Sequence, residues 1–148
     1  MNLKTILDLD MKQAMKDKDK LTLSVIRLVK GSIQLEEINK KSILSNDDIL
    51  SIIIKQVKMR KESIVEFEKA NRIDLIEELN KEINILNKYL PIQLSDEELD
   101  IIITEVINKV NAKNNSDTGK IMKELIPLIK GKADMSKVNL IIKEKLSF

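Results

Sequence analysis

Apolar residues recur every three or four positions along almost the whole chain, and no stretch keeps the two-residue alternation of a strand. The pattern predicts an all-α protein. A first helix is expected over about Leu3 to Lys18, with Leu3, Ile6, Leu7, Met11 and Ala14 as its stripe. A second runs from Lys20 to about Asn39 and is apolar on two adjoining faces. Leu21, Val25, Leu28 and Leu35 lie on one, Ile26, Val29 and Ile33 on the other. Such a wide apolar surface predicts a central helix with contacts on more than one side. Gly31 either weakens this helix or lets a neighbour approach closely.

Ser45-Asn46-Asp47-Asp48 reads as a cap with acidic residues on the positive helix end. The helix after it extends to about Ala70, with the stripe Ile49, Ile53, Val57, Arg60, Ile64 and Phe67. A turn at Asn71-Arg72 leads into a helix expected to be capped by Asp74, with Leu75, Leu79, Ile83, Leu86 and Leu90 as its stripe. Two long helices joined so briefly form an antiparallel hairpin. Pro91 ends it, because the residue before a proline is pushed out of the α region. Ser95-Asp96-Glu97-Glu98 starts the next helix as a capping box. Two further helices follow, about Asp117 to Ile129, where Pro127 bends or ends the helix, and about Ser136 to Leu146. The expected organisation is an N-terminal helical domain over 1–94, containing the hairpin 45–90, and a small three-helix domain over 95–148.

Composition narrows the chemistry by what it lacks. The 148 residues hold no His and no Cys, so histidine triads, thiolate nucleophiles and Cys-ligated zinc are excluded. No Gly-rich phosphate loop is present, and the acidic clusters fall at helix starts, where capping explains them. The expectation is therefore no intrinsic catalysis, no catalytic residues, no metal site and no cofactor. One Tyr, two Phe and no Trp are too few rings for a base-stacking platform. No apolar run reaches the roughly 20 residues of a bilayer span, and the N-terminal run mixes charge with apolar residues unlike a secretory signal. A cytoplasmic protein without membrane contact is expected.

The 26 Lys+Arg nearly balance the 24 Asp+Glu, but unevenly along the chain. Residues 96–118 hold 2 Lys and 6 Asp+Glu, and residues 119–148 hold 7 Lys and 3 Asp+Glu. Lys120, Lys123, Lys130, Lys132, Lys137, Lys143 and Lys145 thus make the last two helices basic. Two readings follow: a phosphate-binding surface centred on Lys130-Gly131-Lys132, or an ordinary solvated helix surface. Lys58 and Arg60 on the third helix allow two readings as well. They form an anion site, or Arg60 pairs with a carboxylate of the fourth helix, Glu78 or Glu82, and fixes the hairpin register.

Six segments in order resemble one family of small bacterial proteins, the GatB/YqeY family. They are Asp10-Met11-Lys12-Gln13-Ala14-Met15-Lys16, Lys58-Met59-Arg60-Lys61-Glu62-Ser63, Phe67 to Leu75, Tyr89-Leu90-Pro91-Ile92-Gln93-Leu94-Ser95, Gly119-Lys120-Ile121-Met122-Lys123 and Lys130-Gly131-Lys132-Ala133-Asp134 with Val138-Asn139. The family is all-helical and is similar to the C-terminal tail of the B subunit of the glutamine-dependent tRNA amidotransferase. The resemblance implies a tRNA-binding accessory protein, with Lys120, Lys123, Lys130, Lys132 and Asn139 carried over by position as RNA contacts. It also implies, by inheritance from the longer enzyme, a description as a carbon–nitrogen ligase with glutamine as amide donor. The implied partners are tRNA and a protein of translation or tRNA metabolism. The alternative is a protein–protein interaction adaptor that binds no RNA, motivated by the wide apolar face of the second helix.

Overall fold

The computed structural model describes residues 2–146, in which seven α-helices and no strand occur. They are α1 (Leu3–Lys16), α2 (Lys20–Lys40), α3 (Asn46–Lys69), α4 (Ile73–Asn87), α5 (Asp96–Val110), α6 (Thr118–Ile129) and α7 (Met135–Leu146). A single 3-10 turn, Asn115–Asp117, leads into α6. The all-α expectation is met. The chain divides into two compact units between Leu90 and Pro91.

In the first unit α2 packs against α1, α3 and α4, which gives it the several contacts its wide apolar face predicts. Val25, Ile26, Val29 and Ile33 of α2 are buried with Ile49, Ile53 and Val57 of α3 and with Ile83 and Leu86 of α4. Leu3 and Leu7 close the core from α1. α3 and α4 form an antiparallel hairpin, and Asn71 makes the turn at φ 58°, a left-handed conformation that asparagine tolerates. The α3 start is a full capping box. Ser45 Oγ accepts from the Asp48 amide and the Asp48 carboxylate accepts from the Ser45 amide. The start of α4 differs from expectation. The helix begins at Ile73 after Arg72, without a side-chain cap. Asp74 turns instead to the Arg72 guanidinium, 3.2 and 3.3 Å away, a pairing that competes for the carboxylate.

Tyr89 ties the end of α4 to α1, its hydroxyl donating to the Asp10 carboxylate. Burial, then this acceptor, raises the phenol above its ordinary value of 10.0. Glu37 of α2 accepts from Lys4 and from the Leu44 amide, and these bonds hold it below its ordinary value of 4.5. The signs fix a pH dependence. A lowered carboxylate contributes stability above its unfolded value, and the contribution is lost as pH falls. A raised phenol contributes below pH 10, and the contribution is lost as pH rises. Urea midpoints are therefore expected to drop from about pH 6 to about pH 3. Lys4→Gln should flatten the part of that drop that belongs to Glu37. An identical drop in the variant would contradict this assignment.

The second unit buries Leu99, Ile103 and Val106 of α5 against Ile121, Leu125 and Ile129 of α6 and Val138, Ile142 and Leu146 of α7. Ser95 caps α5, accepting from the Glu98 amide at 3.1 Å. Pro127 sits inside the last turn of α6, which continues to Ile129. Gly131 turns the chain at φ 74°. Gln93 pins this turn by donating to the Gly131 carbonyl at 2.8 Å, and the Leu94 amide donates to the Lys132 carbonyl at 2.9 Å.

Candidate functional site, an apolar face on the first unit

The charge asymmetry of the second unit is in part an internal complement. Acidic α5 faces basic partners within its own unit: Lys137 pairs with Asp96 and Lys145 with Asp100. Lys109 of α5 pairs with Glu124 of α6 at 3.1 Å. Of the residues carried over as RNA contacts, Lys120 pairs with Asp117, 3.7 Å away. Lys123 lies on the same helix, whereas Lys130 and Lys132 lie at and beyond its other end. Ten residues of α6 separate Lys120 from Lys130, about 15 Å of helix axis. Asn139 lines a different place, an open cleft of about 690 Å³ with Asn115, Thr118, Ser136 and Lys143. The exposed Lys120–Asp117 pair is of a kind that is nearly neutral in energy.

The first unit holds a more distinctive feature. Between α2 and α4, above α3, runs a groove of about 550 Å³. α2 lines it with Leu28, Ser32, Leu35 and Glu36, and α4 with Leu79 and Glu82. α3 contributes Ile52, Lys55, Gln56, Met59, Arg60 and Ser63. Leu28, Leu35 and Met59 are each more than half exposed, as is Ile38 one turn beyond Leu35. Large apolar side chains this exposed and this close together mark an interaction surface more often than scattered ones do.

The floor of the groove is polar and tightly held. Gln56 donates to Ser32 Oγ at 3.0 Å, bridging α3 to α2. Arg60, on the apolar stripe of α3, has a side chain only 11 % exposed. Its Nη1 donates to the Gln56 carbonyl at 3.1 Å, and Nη2 lies 3.5 Å from Oε1 of Glu82. Arg60 thus pairs with α4 across the hairpin. Lys58 is not among the groove's lining residues, so the structure does not gather Lys58 and Arg60 there. Gln56 Oε1 and Arg60 Nε are buried without a protein partner. One donor of an arginine and the acceptor of an amide are thereby left short in the same place.

Sequence reasoning placed Leu28 and Leu35 on the wide apolar face of α2 and passed over Gln56 and Met59. The signal for Gln56 and Met59 was present as a second row on α3, Ile52, Gln56, Met59 and Ser63 in steps of four, three and four, beside the buried row. Among the described residues no cluster of three His, Cys, Asp or Glu side chains can hold a metal ion, and no helix is long and apolar enough to cross a membrane.

The described residues thus form an all-helical chain of two compact units, with an uncovered apolar groove on the first. The chain belongs to the Yqey-like protein family, whose model matches residues 4–146. It is similar to the altered inheritance of mitochondria protein 41, mitochondrial, of Pyrenophora tritici-repentis, 30 % identical over 130 residues that cover 86 % of this chain and 71 % of the relative. The protein of the same name from Clavispora lusitaniae is 32 % identical over 123 residues, 80 % of this chain and 71 % of that one. The Kluyveromyces lactis protein of that name is 35 % identical over 111 residues, 72 % of this chain and 60 % of the relative.

These relatives correct two expectations. The names they carry concern mitochondria and say nothing of tRNA or of an amidotransferase, so the reading as a tRNA-binding accessory protein gives way. Lys137 and Lys145 of α7 pair with α5, which offsets part of the basic excess that the sequence showed. The expectation of a cytoplasmic protein gives way on the same names, which place the relatives in mitochondria.

Proposed function

We propose that the protein works by holding an amphipathic helix of a protein partner in the groove between α2 and α4. The uncovered apolar lining carries this reading: Leu28, Leu35 and Met59 stand more than half exposed beside the polar Gln56 and Arg60. The α3 row from Ile52 to Ser63 gives the groove a length of about 16 Å, enough for three turns of a helix. Helix-in-groove recognition of this kind relies on apolar anchors at i, i+3, i+4 and i+7. Met59 suits it, because an unbranched thioether repacks against different anchors. The names of the relatives support placing the partner in the inheritance of mitochondria.

Selection from a displayed library of amphipathic helices of about 14 residues tests the reading. Binders are expected, and Leu28→Glu/Leu35→Glu is expected to weaken them at least tenfold, since each substitution puts a charge where an apolar anchor must be buried. Failure to select any binder, or binders indifferent to the double variant, would contradict it.

A further inference from the structure

On the outer face of α2, Leu21, Ser24, Leu28, Gly31, Leu35 and Ile38 follow one another in steps of three, four, three, four and three. This is the spacing of a coiled-coil seam. Within the first unit the seam is unpartnered over most of its length: Leu28 is 54 % exposed, Leu35 60 % and Ile38 64 %. Gly31 stands at the edge of an open cleft between α1 and α2 and is not required there by a close approach. A Cβ built on it meets nothing within 4 Å, yet a glycine this deep in a 21-residue helix weakens it. The seam alternates large and small in an order that fits itself reversed. Laid antiparallel on a second α2, Leu21 meets Ile38, Ser24 meets Leu35, and Leu28 meets Gly31. Each pairing recurs across the two-fold axis, as an isologous contact requires. Leucine over glycine and leucine over serine let the two backbones approach closely. The flanking positions set Arg27 against Gln34, which brings no like charges together beside the centre of the seam.

We infer that the protein self-associates through α2, a second copy of the chain covering this seam in antiparallel register. The inference goes beyond the groove reading and adjoins it, because Leu28 and Leu35 belong to both surfaces. A second copy and a partner helix therefore compete for the same leucines. A single helix pair falls below the roughly 1,600 Å² of a standard interface, so the association is weak, with Kd in the micromolar range.

Sedimentation velocity from about 5 to about 500 µM brackets that range. The full chain is expected to shift from monomer toward dimer. Gly31→Glu is expected to remain monomeric with unchanged helix content, since the new side chain enters open space in the monomer and the seam in the dimer. A wild-type chain that stays monomeric throughout, or a Gly31→Glu chain that still dimerises, overturns the inference. Orientation has its own readout, because the chain contains no cysteine. Ser24→Cys mixed with Leu35→Cys is expected to give the mixed disulfide, whereas Ser24→Cys alone should not cross-link. Ready cross-linking of Ser24→Cys to itself would mean a parallel pair and would overturn the register. Gly31 does not line the groove, so the two readings fail separately. A monomeric chain that still binds selected helices overturns self-association alone.

Discussion

Glu82→Ala is expected to destabilise the first unit by about 2–4 kcal/mol, a large effect for one surface-facing helix. Arg60 and Glu82 are 11 % and 17 % exposed in their side chains, so the pair is mostly removed from water. Deleting the carboxylate leaves a guanidinium whose Nε already lacks a partner and whose Nη2 loses its counter-charge. That is the costly way to break a buried pair. Replacing both residues is a different experiment. Arg60→Met/Glu82→Leu puts apolar side chains of similar volume between α3 and α4, and its expected stability lies within about 1 kcal/mol of wild type. Tyr89 makes the measurement convenient. It is the only tyrosine in a chain without tryptophan, and it sits in the first unit. Urea unfolding followed by its emission should show a large loss for the single variant and little for the double. Equal losses in both would mean that Arg60 contributes through its packed stem rather than through charge.

Leu86→Ala is expected to cost more, about 3–5 kcal/mol. Leu86 is fully buried on α4, in the core that α1, α2 and α3 share. The substitution removes apolar surface and leaves a cavity whose lining relaxes only in part. Packing of α4 against α2 and α3 limits that relaxation. Its Tyr89-detected midpoint should fall by a large fraction of the stability of a domain of about 90 residues. Ile73→Ala on the same helix, where Ile73 is 63 % exposed, should cost a few tenths of that. A cost below about 1 kcal/mol for Leu86→Ala would contradict the core described here.

The all-α fold was legible because two physical signals agreed. Steps of three and four ran through every helix, and Ser45 and Ser95 stood where helices begin, each capping its helix in the structure. The α4 start was less legible because Asp74 has two competing uses, and the nearby Arg72 took it. Arg60 stood on an apolar stripe, which told that its stem is shielded, and the partner came from one of two carboxylates a helical turn apart. The groove could not be read in the same way. A wide apolar face on α2 shows that several neighbours are needed. Which part they cover depends on where α1, α3 and α4 come to rest. Lysines in the last two helices raised the opposite difficulty. Their excess was visible in the sequence, but the α5 carboxylates that answer Lys137 and Lys145 lie 41 and 45 residues away, and the pairing is a tertiary fact.

The most direct test of the central claim, that the apolar groove is the working surface, is rescue of mitochondrial inheritance in Kluyveromyces lactis lacking the relative. The chain would be expressed behind a mitochondrial leader, as wild type and as Leu28→Glu/Leu35→Glu. Rescue by the wild type and its loss in a double variant that stays folded and abundant is the expected result. Equal rescue by both chains would contradict the claim and remove the groove from the account of function.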